Sequence, residues 1–140
     1  MARTATAEWK GDLMGGDGHV ALGSGAFEGS YSFATRFGET TGANPEELLG
    51  AAHAACFSMA LANSLAKAGF TASSVKTTAS VHLGKDDTGF KVTRIDLAVV
   101  ASVPDVDAAT FQTHAEQTKT GCIISRALAA TEMTLTATLA

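Results

Sequence analysis

The stretch "GANPEELLGAAHAACFSMAL", Gly42 to Leu61, decides how the chain is read. Asn44 suits an N-cap, Pro45 fits the first helical position, and Glu47 lies three residues after Asn44, the spacing of a capping box. Apart from Gly50, nothing breaks the pattern until "KAGF", where Gly69 is a natural stop. The spacing predicts a helix over Pro45–Ala68. From Leu48 to Ala66 it carries His53, Ser58, Asn63 and Ser64 but no charge. A helix that is apolar nearly all round is a central one. A single sheet drawn from 140 residues has difficulty covering it, which points to a partner subunit. At its middle stands Cys56, one of two cysteines. It is either a small apolar filler or a reactive thiol that the fold is built to hold.

Working outward, Ala5, Ala7 and Trp9 alternate with Thr4, Thr6 and Glu8, a strand pattern. "GGDG", Gly15 to Gly18, reads as a turn and "HVALGS" as a second strand. "SYSFATRF", Ser30 to Phe37, is predicted as a strand with Tyr31, Phe33 and Phe37 on one face and Ser32, Ala34 and Arg36 on the other. Beyond the helix, "SSVKTTASVHLG" and "FKVTRIDLAVVASV" alternate around "KDDT" and form a hairpin. Pro104 and Asp105 make a turn. "DAATFQTHAEQTKTG" is an amphipathic helix capped by Asp107, "CIISRALA" a further helical turn or two, and "EMTLTATL" a closing strand. This order implies an α+β fold with antiparallel pairing.

The length suits one domain over residues 1–140, large enough for a core without disulfide staples. With 46% apolar residues and a net charge of −4, and with no lysine or arginine cluster, the chain is expected to be globular and not to bind nucleic acid. No run is expected to reach the ~18 apolar residues of a membrane span. "MARTATAEWKGD" lacks the apolar segment of a secretory signal. The expectation is a cytoplasmic protein, off the membrane. In that compartment a structural disulfide is disfavoured, so the cysteines are catalytic, redox-sensing or merely buried.

Cys122 follows Gly121, where backbone N–H groups of a short helix would favour a thiolate; it too can be a small buried residue. His53 lies three before Cys56 on one helical face, and Cys122 would make a third metal ligand. Structural zinc wants four, so no metal is expected, and His53 reads as a hydrogen-bonded core residue. Arg36 is solvated or covered by another element. Glu46 and Glu47 suit the first turn of a helix.

"NPEELLGAAHAACFSMAL" together with "GCIIS" resembles the OsmC/Ohr family of thiol-dependent hydroperoxide reductases, over nearly the whole chain. The OsmC branch is the nearer, with an arginine on the strand twenty residues before the reactive cysteine, as Arg36 stands here. The resemblance implies that Cys56 is the peroxidatic cysteine, Cys122 the resolving one, Arg36 the activating arginine and Glu46 the carboxylate that holds it. It implies sheets from two subunits wrapped round two long central helices in an intertwined homodimer. The substrate would be an organic hydroperoxide, or hydrogen peroxide, with no cofactor. The Cys56 sulfenic acid would condense with Cys122, and a dithiol, of lipoyl type by family analogy, would restore both thiols. One position departs: Ile123 stands where the family often has proline.

Glu46 and Cys56 are ten residues apart, ~15 Å along a helix, so Glu46 and Arg36 are expected to serve the Cys56 of the other subunit. An unassisted thiol of pKa ~8.5 is about 3% ionised at pH 7, so full ionisation gains only ~30-fold. The arginine must also orient the peroxide and stabilise the departing alkoxide. Phe33, Phe37, Phe57 and Met59 are candidates for an apolar wall, or plain core. Two rivals would need neither cysteine: a hot-dog thioesterase using a helix carboxylate, and a non-enzymatic binder of an apolar ligand.

Overall fold

A computed structural model describes residues 1–140, which fall into two compact units, Met1–Leu48 and Leu49–Ala140. In the first, β1 (Ala5–Lys10), β2 (Asp17–Leu22) and β3 (Glu28–Tyr31) form an antiparallel meander in chain order. Gly18 lies opposite both Trp9 and Tyr31, whose rings pack with centroids 5.5 Å apart. A Cβ at Gly18 would run into the Tyr31 ring, so this crossing requires glycine.

The predicted strand Ser30–Phe37 is corrected here. It ends at Tyr31, and Phe33–Phe37 forms a short helix, α1. Ser32 caps it: its Oγ accepts from Thr35 N at 3.2 Å, and Thr35 Oγ1 accepts from Ser32 N at 2.8 Å. That reciprocal pair satisfies two N–H groups at once. The helical turn then stacks Phe33 on Phe37 at 4.8 Å, a contact between residues four apart that an extended strand, rising ~13 Å over that span, would rule out. Arg36 therefore sits on α1 and not on a strand.

Helix α2, Pro45–Lys67, starts as expected: Asn44 Oδ1 accepts from Glu47 N at 2.8 Å. It ends at Gly69, whose φ of +93° places it in the left-handed region. Within the second unit, β4 (Ser74–Asp86) and β5 (Gly89–Ser102) form the long hairpin. Helices α3 (Ala108–Gly121) and α4 (Ile123–Ala127) then carry the chain back to β6 (Glu132–Leu139). The sheet order is β4-β5-β6. β6 runs parallel to β5, the one departure from antiparallel pairing. The helical crossover is the reason, because it returns the chain to the end of β5 where that strand began.

The core gathers Phe57, Leu61 and Leu65 of α2, Ile95, Leu97 and Val99 of β5, and Phe111 of α3. On α2 the buried stripe is Gly50, His53, Phe57, Leu61 and Leu65. A methyl added at Gly50 would lie 3.3 Å from the Ala79 carbonyl oxygen and 3.4 Å from Val81 Cγ2, so the missing side chain lets α2 approach β4 closely. The rest of α2 is much less covered, and Met59 is 76% exposed. Contrary to expectation, α2 is long and apolar enough to cross a membrane, with a mean hydropathy of 1.4 over 18 residues. Its buried stripe nonetheless packs as a core helix does.

Candidate active site

The uncharged polar residues of α2 pin it to its neighbours. Ser58 donates its hydroxyl to Thr77 Oγ1 on β4 at 2.7 Å. Ser64 Oγ bonds His114 Nδ1 on α3 at 2.7 Å, and His53 Nε2 bonds Ser125 Oγ on α4 at 2.8 Å. Buried polar groups are tolerated when paired in this way. Together the three bonds tie α2 to β4, α3 and α4.

Cys56 is half-buried, and Cys122 is 2% exposed. Both are free thiols. Cys122 joins two helices. Its N–H donates to Thr118 O at 3.0 Å, closing α3, and its Sγ accepts from Ser125 N at 3.3 Å, opening α4. This double cap holds the backbone on both sides of Cys122. Burial pushes the Cys56 thiol up from the ordinary range. The backbone N–H of Ile124 pulls it down, Cys122 raises it again through hydrogen bonding and charge, and the N–H of Ile123 pulls it down slightly. The Cys122 thiol and two amides at the start of α4 thus all act on the Cys56 thiol. Ile123 contributes a donor that proline lacks. The net direction is upward, so burial outweighs the amides, and no cation is among the groups acting on this thiol. An open groove of about 280 Å³ between α2 and α3 is lined by Ala60, Ser64, Lys67, Gln117 and Thr118 among others, with Cys122 in its lining.

The first unit holds the second pair. Arg36 donates from Nε to both Glu46 carboxylate oxygens at 3.2 Å and from Nη2 to Oε1 at 2.7 Å. Glu46 is the better covered, its side chain 13% exposed against 39% for Arg36. The guanidinium also lies over the Phe37 ring, 5.3 Å from its centre. Of the two glutamates, Glu46 holds the arginine, while the backbone N–H of Glu47 takes the Asn44 cap. The Nη1 edge is left for another acceptor.

Of the candidate wall residues, Phe57 is wholly buried core, whereas Met59 and Phe37 are exposed. Sequence reasoning missed Ser125. The available signal was its place three residues after Cys122, the position whose N–H a helix cap engages. His53, weighed as a metal ligand and read as a hydrogen-bonded core residue, is hydrogen-bonded core through Nε2, while its Nδ1 is buried with no partner.

The profile described as "OsmC-like protein" matches residues 38–137. Peroxiredoxin OsmC of Escherichia coli K12 is 50% identical over 130 residues, covering 92% of this chain and 90% of that protein. Among solved structures, the organic hydroperoxide resistance protein OhrB of Bacillus subtilis matches 96% of this chain and 97% of its own, with a TM-score of 0.71 and 26% identity. An organic hydroperoxide resistance protein from Elizabethkingia anophelis matches 100% and 99%, with a TM-score of 0.77 and 26% identity. This chain, with its paired thiols on α2 and at the start of α4, belongs to the OsmC family.

Proposed function

We propose that this protein is a cysteine-based peroxidase that reduces organic hydroperoxides, and hydrogen peroxide as well, to alcohols or water. The observation that carries the reading is that two free thiols lie in one core, Cys122 and two amides of α4 acting on the Cys56 thiol. The 50% identical peroxiredoxin relative favours it over a thioesterase or a simple binder, neither of which needs a thiol. Cys56 thiolate attacks the outer peroxide oxygen, the O–O bond breaks, and the alcohol leaves as Cys56 becomes a sulfenic acid. Cys122 then displaces water to form the Cys56–Cys122 disulfide. A dithiol, of lipoyl type by family analogy, restores both thiols, and the groove that Cys122 helps to line gives it an approach. The reaction is a cytoplasmic one in this reading, carried out by a single OsmC-like domain spanning 1–140.

Because nothing within residues 49–140 supplies the cation that the raised Cys56 thiol calls for, Arg36 is assigned that role. Glu46 fixes its planar fork, and Nη1 faces the peroxide. Glu46 precedes Cys56 by ten residues on one helix, ~15 Å of axis. The pair is therefore assigned to the Cys56 of the other subunit in a homodimer, whose second central helix covers the exposed face of α2. The test is consumption of cumene hydroperoxide with dithiothreitol as reductant. The parent is expected to turn over, Cys56→Ser to be inactive, and Cys122→Ser to lose dithiol-linked turnover after one peroxide. Full activity in Cys56→Ser would refute the reading.

A further inference from the structure

A buried hydrogen-bonded line runs away from Cys122. The Cys122 thiol donates to Ser125 Oγ at 3.2 Å, and Ser125 Oγ lies 2.8 Å from His53 Nε2. All three side chains are inside: His53 is 0%, Cys122 2% and Ser125 3% exposed. With the Ser125 hydroxyl donating to His53, every donor points the same way, from sulfur to imidazole. His53 Nδ1 is buried with no partner. An unpaired buried nitrogen is costly, and an apolar side chain of similar size would pack there without that cost. The missing partner also means that no second hydrogen bond locks the ring in one tautomer, so Nε2 is free to accept or to hold a proton. The histidine's presence is explained if Nε2 does work for Cys122.

We propose that Ser125 and His53 form a proton relay that activates Cys122 for the disulfide-forming step, with Ser125 and His53 as positioning and proton-handling residues rather than substrate contacts. The proposal rests on the peroxidase reading above. The Cys122 S–H bond breaks, its proton passes to Ser125 Oγ, and the serine proton passes to His53 Nε2. The sulfur electron pair forms the S–S bond with Cys56 as the Cys56 S–O bond breaks. The hydroxide leaves and takes up a solvent proton to become water, and His53 returns its proton to solvent. Cys122 is oxidised and the sulfenic sulfur of Cys56 reduced, with no outside reagent. Burial holds His53 below the usual histidine range, so it is neutral and able to accept at neutral pH. No charged group contributes to that shift. Of the two thiols, Cys122 reaches His53 through Ser125, and Cys56 stands one turn along α2 from it.

The experiment separates the two chemical steps by rapid mixing of the fully reduced protein with one equivalent of cumene hydroperoxide. Sulfenic acid formation and disulfide formation are followed by quenching at intervals and weighing the intact protein, from pH 5.5 to 9. Ser125→Ala removes the middle of the relay. His53→Gln keeps a hydrogen-bonding group beside Ser125 but cannot take a proton. Both variants are expected to form the sulfenic acid as fast as the parent and to form the disulfide at least tenfold more slowly at pH 7. Their second step should gain rate with each unit of pH, whereas that of the parent stays flat from pH 6.5 to 8. Disulfide formation as fast as in the parent in either variant overturns the relay, as does an equal slowing of both steps or a parent-like pH profile. A parent that forms no sulfenic acid overturns the peroxidase reading itself, and the relay with it.

Discussion

At the scale of single residues, Cys56 presents a problem that its own surroundings do not solve. Desolvation raises its thiol, and the amides of Ile124 and Ile123 do not compensate. Ionising it fully at pH 7 gains ~30-fold over an ordinary thiol, about 2 kcal/mol. Part of that is lost because a less basic thiolate is a weaker nucleophile. In the proposed mechanism Arg36 therefore acts on the departing alkoxide as well as on the sulfur. Replacing it by methionine is expected to slow sulfenic acid formation by at least ~100-fold at pH 7. Removing the cation raises the thiol further, so the deficit should shrink as pH rises to 9 without closing, because alkoxide stabilisation does not return with ionisation. Stopped-flow measurement of the first step across that range checks both parts. A deficit that vanishes at high pH would reduce Arg36 to a pKa device.

At the scale of elements, α2 was legible because its signals agree: an Asn-Pro start, an uncharged interior and a glycine stop. Asn44→Ala should cost about 1 kcal/mol, visible as a drop of about 3 °C in the thermal midpoint. Helix α1 was not legible. Tyr31, Phe33 and Phe37 share odd positions, which mimics a strand, while the Ser32–Thr35 capping box inside the same run selects a helical turn. The His53–Ser125 contact spans 72 residues and carries no local pattern, so only the fold reveals it. It also has a stability signature. The folded protein holds His53 below its unfolded value of ~6.5, so the unfolded chain binds the extra proton first. Stability should therefore fall as pH drops from about 7 to 5, and this fall should be smaller in His53→Gln, as followed by thermal melts. Asp96, held low chiefly by Arg94 and then Thr134, and Asp107, held low by Thr110, lose their contributions only below pH ~4. The two windows are thus distinct.

At the scale of the whole molecule, the proposed assembly has two chains, each lending an Arg36–Glu46 pair to the other's thiols; the exposed apolar side of α2 and the ten residues between Glu46 and Cys56 are its grounds. Mixed dimers test this. Cys56→Ser and Arg36→Met chains, each inactive alone, should regain activity when unfolded and refolded together, because one site then has both groups; no recovery would place the pair on its own Cys56. The family could be named from the sequence because its motifs are long. What the sequence withheld was three-dimensional: that Ile123 offers an N–H to Cys56, and that Cys122 is capped from both sides. The most direct test of the central claim is the intact mass of the protein after one equivalent of an organic hydroperoxide, alongside Cys122→Ser. The account predicts a loss of about two mass units in the parent, for the disulfide, and a gain of about sixteen on Cys56 in the variant, for the retained sulfenic acid. Unchanged masses in both would make Cys56 core packing and contradict the account.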